Sequence, residues 1–303
     1  MTSLKAAIDL GTNTVRLLIG TADAQGVHPV LLKREITRLG GGFRKTSGIS
    51  REACERTIAA LRVFADEIEK HAVTRVRAVA TSAVRDAVNG REFVAEVLER
   101  TGIMLEVIEG EEEGLLTLRS VISGLDEKSG DYMVFDIGGG STEYTIATAS
   151  SHIFTDSLPL GVVRLTEGKV SVEAMSDKIE RELARLKTDI EMVGLSQHLG
   201  GATLVGTAGT ATTLAAIDLE LKTYDYRQVN NHILSKEAIQ AIFDILLPLS
   251  PEERLRVPGL EKGREDLIIA GILVTLKTMD IFGFDRMKVS DFGLLEGVLL
   301  SIA

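Results

Sequence analysis

The chain has 303 residues, a length for which two domains is the default. Apolar residues make up 45% and charged residues 26%, which excludes a mainly disordered chain; the single cysteine, Cys54, excludes an intrachain disulfide scaffold. A net charge of −10, no Trp and 13 aromatics argue against nucleic acid as a partner, so a polyanionic substrate would need local devices: oriented backbone N–H groups, a few Arg, or a divalent cation. In chain order, a first hairpin over residues 8–20 leads to a strand at Pro29–Glu35 and an amphipathic helix at Ser50–His71. In that helix Ser50 is the N-cap, and Ala53, Ile58, Leu61, Phe64 and Ile68 share a face. A buried strand at Val76–Ala80, a helix at Arg91–Thr101 behind Asn89, a strand at Leu105–Ile108 and a helix at Glu111–Ser123 complete the first half. The polar, turn-rich GLDEKSG at Gly124–Gly130 reads as the domain linker.

The second half repeats the alternation. Strands are expected at Met133–Asp136, Tyr144–Thr148 and Ser151–Leu158, then a long helix from about Ser171 to Val193. A short strand at Leu204–Gly206 runs into the small residues of TAGTATTLAA. Helices follow at Ser235–Leu246 and Arg264–Ile281, then a strand at Arg286–Ser290 and a last helix at Gly293–Ile302. The longest apolar run, Leu267–Leu276, is about half of the roughly 20 residues a membrane span needs. The N-terminal MTSLKAAIDLG lacks a signal-peptide core. The expectation is a cytoplasmic α/β protein of two domains with mixed sheets and a cleft between them, with no membrane partner.

The most informative feature is an internal echo. Residues 8–20, IDLGTNTVRLLIG, and residues 135–147, FDIGGGSTEYTIA, align without gaps at an offset of 127. Asp9 falls on Asp136, Gly11 on Gly138 and Thr14 on Ser141. Each segment runs from an apolar strand through Asp and a Gly-bearing polar tip into a second strand, which is a hairpin pattern. Tips of Gly, Ser and Thr let the backbone approach a ligand and can gather N–H groups around phosphate oxygens. The candidates are Gly11, Thr12, Asn13 and Thr14 in the first tip, and Gly138, Gly139, Gly140, Ser141 and Thr142 in the second. Asp9 and Asp136 stand just before the tips and Glu143 just after the second. Carboxylates beside phosphate call for a cation between them, and Mg²⁺ is the natural choice; the alternative is that these acids only hydrogen-bond the turns.

Other candidates are more ambiguous. In IEGEEEGLL, residues 108–116, Glu111 and Glu112 suit the positive end of a helix, and a general base would also sit comfortably there. Arg16, Arg85 (ending ATSAVR) and Arg264 (opening an apolar helix) have the planar fork that suits phosphate, yet each is compatible with a surface role. VGTAGTATTLAA reads either as a nucleotide or phosphate site at a helix start or as a packing corner. Cys54 reads as core, and the five His are not spaced as metal ligands.

Taken together, IDLGTNTVRLLIG, VATSAVRDA, VIEGEEEGLL, FDIGGGSTEY, SLPLGVVRLTE, GTAGTATTLAA and VSDFGLLEGVL resemble the exopolyphosphatase/guanosine pentaphosphate phosphatase (Ppx/GppA) family of the actin–Hsp70–sugar kinase superfamily. The matching stretches run from residue 7 to residue 299. The resemblance implies two ribonuclease-H-like (actin-like ATPase) domains around an interdomain cleft, at 1–123 and 124–303, with the C-terminal helix at about 293–303 packing back on the first. It implies a metal-dependent phosphohydrolase releasing terminal phosphate from inorganic polyphosphate or guanosine pentaphosphate, with Mg²⁺ as cofactor and Mn²⁺ as the alternative. It assigns Glu113 as the carboxylate activating water. It sets Asp136 and Glu143 near the metal and catalytic water; the residue pattern adds Asp9 to the metal set. Both tips, Arg85 and Gly209 of GTAGT are assigned to phosphates, and Arg16 and Arg264 to a guanosine polyphosphate. Longer members of the family append an HD-like helical region; the expectation here is no appended HD-like domain, and with it short polyphosphates or guanosine pentaphosphate over long polymer. Ala208 stands where Gly is frequent, a departure expected to be tolerated. A homodimer is compatible with the pattern. Two other readings stay open: a guanosine tetraphosphate or nucleotide-binding regulatory protein with weak turnover, and a phosphotransferase of the superfamily.

Overall fold

The computed structural model describes residues 3–23, 26–42, 48–148, 151–168 and 171–302. The chain divides into two compact units, Met1–Ser123 with Gly293–Ala303, and Gly124–Phe292. Each is built on a mixed sheet, so the α/β class expected from the alternation of elements is the class found.

In the first unit β1 (Lys5–Leu10) and β2 (Thr14–Asp23) form the first hairpin, and β3 (Gly26–Ile36) extends it antiparallel. α1 (Arg51–Lys70) follows, its Ala53 N–H donating to the Ser50 hydroxyl at 3.2 Å, and it buries Ala53, Ile58, Leu61 and Phe64. Next come β4 (Arg75–Ala80), the single turn α2 (Ser82–Arg85), α3 (Gly90–Thr101), β5 (Leu105–Val107) and α4 (Gly110–Gly124). The sheet order is β3-β2-β1-β4-β5, with β4 and β5 parallel to β1. Val76, expected in a buried strand, is exposed. β4 meets β5 only from Ala78 onward, so its first half has a neighbour on one side only. Asn89 is the N-cap residue of α3, as expected, but its side chain makes no cap bond; it instead bonds the backbone N–H and carbonyl of Ile49 at 2.8 and 2.9 Å.

One face of this sheet buries the main core with α1 and α3. The other face, through Ala7, Leu18 and Val79, packs Leu116 of α4 and Leu294, Leu295, Val298 and Leu299 of the C-terminal helix, Leu294–Ser301. Gly297 is what lets that helix close on α4, because a Cβ there would lie 2.0 Å from the Leu116 carbonyl oxygen. Arg77 fastens the same corner, bonding Glu106 at 3.0 Å, Glu112 at 2.6 Å and the Ser301 hydroxyl at 2.7 Å.

The second unit repeats the plan. β6 (Asp131–Ile137), β7 (Thr142–Thr148) and β8 (His152–Leu158) are antiparallel neighbours; α5 (Val162–Gly168) and α6 (Val172–Met192) follow. β9 (Thr203–Thr207) lies parallel to β6 and runs into α7 (Ala208–Asp218). After α8 (Tyr226–Val229) come β10 (Ile233–Ser235), α9 (Lys236–Leu246), α10 (Pro251–Arg254), α11 (Ile268–Phe282) and β11 (Arg286–Val289). The order is β10-β11-β9-β6-β7-β8. Read from β8 to β11, it reproduces the first sheet from β3 to β5. α11 begins four residues after Arg264, not at it. Residues 261–264 form a turn, and the Arg264 carbonyl accepts the Ile268 N–H at 2.9 Å. Gly124 opens the unit and is fastened there: its carbonyl accepts the side-chain amides of Asn230 and Asn231 at 2.9 and 3.0 Å. Among the described residues no helix is long and apolar enough to cross a membrane.

Candidate active site

The two hairpin tips are built alike. In the first, the Gly11 N–H donates to the Thr14 carbonyl at 3.0 Å; in the second, the Gly138 N–H donates to the Ser141 carbonyl at 3.0 Å. The sequence echo is therefore an echo of backbone geometry. The first tip is anchored from outside. The Asn13 carbonyl accepts from Thr37 and Arg38 N–H, the Thr12 carbonyl accepts from Gly40 N–H, and the Thr12 hydroxyl shares a 3.0 Å hydrogen bond with Ser82. Among the described residues Asn13 Oδ1 and Thr37 Oγ1 are buried without a partner, so this corner carries polar capacity that they leave unused.

The second tip is held by the stretch that follows β8. The carbonyl of Gly138 accepts from Val162 N–H at 3.0 Å, and that of Gly139 from Val163 N–H at 2.9 Å. Gly161 packs so tightly that a Cβ would meet Gly139 and Gly140 backbone at 2.3 Å. With the Gly138 and Gly139 carbonyls turned toward α5, the tip keeps N–H groups for another use. Among the described residues no backbone acceptor meets the N–H of Gly139, Gly140 or Ser141. Such a turn is suited to anion oxygens.

The residues flanking the tips are cross-strand partners. Asp9 pairs with Arg16 across β1–β2, and Asp136 with Glu143 across β6–β7, so each pair projects from one face of its sheet. In the first pair the Arg16 guanidinium bonds Asp9 Oδ2 at 2.6 and 3.1 Å. In the second, two carboxylates, both buried, stand side by side. Like charges directly opposite destabilise a ladder. Asp136 further pairs with Thr207 of β9, and Glu143 with Ser157 of β8, giving one polar row over four strands. Ser157 donates to Glu143 Oε1 at 2.7 Å.

The all-oxygen donor set fits a hard divalent cation. Among the described residues no group of three or more His, Cys, Asp or Glu gathers. A cation held by Asp136 and Glu143 would therefore complete its shell with water and phosphate oxygens, the habit of Mg²⁺.

Glu113 lies in the first turn of α4, with its residue buried. Arg85 reaches it from the end of α2, with Nη1 3.5 Å from Glu113 Oε2 and 2.9 Å from the Ile108 carbonyl. The structure thus brings Arg85 and Glu113 together, although 28 residues separate them. In the second unit it brings Arg264 to Gly209. A Cβ on Gly209 would lie 1.5 Å from Arg264 Nη1, so the guanidinium lies on the bare backbone at the start of α7. Ala208 holds φ at +61°, a left-handed conformation that Gly adopts without strain. Close by, Tyr224 donates to Asp291; burial first, then the Asp291 carboxylate, push its phenol up. Ser157, Thr207 and Ser82 are the site neighbours that pattern reading missed. Ser157 was signalled only by its place at the head of SLPLGVVRLTE.

The chain matches the Ppx/GppA phosphatase family over residues 18–303. It is 33% identical to exopolyphosphatase 2 of Mycobacterium tuberculosis, over 98% of both chains. It is 30% identical to a bifunctional 3-dehydroquinate synthase/phosphatase of Fusobacterium nucleatum, covering 98% of this chain but only 46% of that protein. Identity is 27% with the guanosine-5'-triphosphate,3'-diphosphate pyrophosphatase of Aeromonas hydrophila, covering 99% of this chain and 59% of that one. Among solved structures, a PPX-GPPA enzyme of Aquifex aeolicus superimposes with a TM-score of 0.81 at 36% identity, covering 99% of this chain and 100% of the other.

Proposed function

This chain belongs to the Ppx/GppA phosphatase family, and from that premise we propose that it hydrolyses the terminal phosphoanhydride of an inorganic polyphosphate or of guanosine pentaphosphate. The observation that carries the reading is the second hairpin: a Gly-Gly-Gly-Ser tip whose Gly138 and Gly139 carbonyls are tied to α5, flanked by the buried pair Asp136 and Glu143. In this reading the tips Gly11–Thr14 and Gly138–Thr142 hold phosphate oxygens, the second through the N–H groups of Gly139, Gly140 and Ser141, and Arg85 assists with its fork. Glu113 accepts the proton of the attacking water, and Arg85 holds that carboxylate in place. Asp136 and Glu143 hold a divalent cation, Mg²⁺ or alternatively Mn²⁺, which when bound neutralises charge gathering on the phosphate oxygens. Asp9 stands outside the metal set, because Arg16 already neutralises it.

Positioning and electrostatics supply most of the acceleration in phosphoryl transfer, and a general base adds roughly 10²–10⁴-fold. Glu113→Gln should lose about that factor in turnover while still binding substrate. The test is phosphate release from short and long polyphosphate, guanosine pentaphosphate and ATP, with and without EDTA, for wild type and Glu113→Gln. Turnover in the variant equal to wild type would remove Glu113 from the reading. A second reading, a guanosine polyphosphate-binding regulatory protein, is favoured by Arg264 lying on Gly209. Nucleotide binding by calorimetry without phosphate release from any of these substrates would select it.

A further inference from the structure

Five residues in the stretch from Ser157 to Val163 touch the second hairpin. Ser157 donates to Glu143 Oε1 at 2.7 Å, and the Leu160 carbonyl accepts the Thr142 hydroxyl at 3.0 Å. Gly161 lies against Gly139 and Gly140, Val162 N–H bonds the Gly138 carbonyl, and Val163 N–H bonds that of Gly139. Four of these contacts set backbone or the hydroxyl of the tip. The fifth, from Ser157, is made to an ionisable group, and to one of two buried carboxylates that stand opposite each other.

We propose that Ser157 is a positioning residue for Glu143, orienting its carboxylate so that Glu143 and Asp136 present their oxygens to one divalent cation. The proposal rests on the reading of that pair as the cation site. A Glu side chain has three rotatable bonds, and holding it in one rotamer beside a like charge is unfavourable unless something fixes it. Ser157 is placed to do so. It is the register partner of Glu143 on β8, as Asp136 is on β6, so all three side chains rise from the same face of the sheet at one level. That face is opposite the one that buries Phe135 and Tyr144 in the unit's core. The hydroxyl takes one carboxylate oxygen as acceptor and thereby sets the plane of the other. Outer groups of this kind orient ligand carboxylates, and their loss weakens metal affinity about 10–100-fold.

The first hairpin supplies the internal contrast. At the same level its row reads Val79, Asp9, Arg16 and Arg34. There the acid is answered by a resident cation, and no hydroxyl stands at the position that matches Ser157. The serine accompanies the acid pair and is absent where the pair is replaced by Asp and Arg.

The test is binding of Mn²⁺ alone to the full chain, read from the loss of the free-ion paramagnetic resonance signal, with no substrate and no turnover. Ser157→Ala is expected to raise the Mn²⁺ dissociation constant about 10-fold or more. Ser157→Thr keeps the hydroxyl and should stay within about 3-fold of wild type. If Ala disturbs the fold, Ser157→Thr and Ser157→Val decide. Both are β-branched and of equal shape, and only Thr donates. Thr binding and Val failing support the proposal; Thr and Val binding alike overturn it. Glu143→Gln and Asp136→Asn separate the two levels. If these abolish binding while Ser157→Ala and Ser157→Val bind as wild type, the positioning role is rejected and the cation site stands. If Glu143→Gln and Asp136→Asn bind as wild type, or wild type takes up no Mn²⁺, the cation site itself is rejected and the role of Ser157 falls with it.

Discussion

Arg16 and Asp9 face each other across the first hairpin and share a 2.6 Å ion pair at the level where the second hairpin opposes Asp136 to Glu143. One duplicated frame thus carries two charge patterns, an acid opposite a base and an acid opposite an acid. Arg16→Ala leaves the buried Asp9 without its partner, and breaking such a pair is costly because the remaining charge stays desolvated. Arg16 is partly open to water, which lowers the expected loss to about 1–3 kcal/mol. Urea unfolding should show Asp9→Asn combined with Arg16→Ala losing less than the two single variants added together. Strict additivity would mean that the pair contributes nothing.

Arg85 spans two partners, the Ile108 carbonyl and Glu113. Removing it takes away both a donor to the site and the group that holds the proposed base. Arg85→Ala should lower kcat by about 10²–10³-fold, as loss of one preorganised donor does. Lys restores the charge but not the fork, so Arg85→Lys should recover only part of that. Steady-state phosphate release for the two variants checks this; full recovery by Lys would reduce Arg85 to a point charge.

Much of this frame was legible in the sequence. The hairpins showed because Asp, Gly and hydroxyl residues recur at one offset between apolar strands, and α1 showed because its apolar spacing is helical and it starts behind a Ser cap. What stayed hidden depends on which strands become neighbours. The row Thr207–Asp136–Glu143–Ser157 joins residues from four strands, and no local period links them. α2 and α5 were missed because one or two turns carry too few positions to display a helical face. The start of α11 was misplaced because the turn at residues 261–264 leads without a break of apolar pattern into Leu267 and Ile268. Arg264 then reaches Gly209 through tertiary packing.

Asp156, one residue before Ser157, gives a pH-dependent prediction. It stands 3.3 Å from Arg185, yet burial outweighs that partner and Asp189 and Glu182 add to it, so its carboxyl titrates above the ordinary range. A carboxyl raised in the folded state binds its proton more tightly there than in the unfolded chain. Its cost to stability is therefore absent below the unfolded value, grows as pH rises through the folded one, and is complete at neutral pH. Asp156→Asn should raise the urea midpoint at pH 7, with the gain shrinking toward pH 4. A lower midpoint at pH 7 would mean that the Arg185 pair outweighs burial after all.

Gly161 is the residue on which the second tip is pressed, and a methyl group there has nowhere to go. The nearest atoms to an added Cβ are backbone, the carbonyl carbons of Gly139 and Gly140 at 2.3 Å, so no side-chain rotation can relieve the overlap. Gly161→Ala must push the tip or the start of α5, at a cost of about 1–3 kcal/mol. Displacing a substrate-holding group by about 1 Å can cost about 10²-fold in rate. The expected result is a folded variant with a lower melting midpoint and phosphate release reduced about 10²-fold. Gly168, at the other end of α5, has nothing within 4 Å of its added Cβ among the described residues. Gly168→Ala should therefore leave both the melt and the rate at wild-type values, and an equal loss in the two variants would trace the effect to α5 itself and not to the tip.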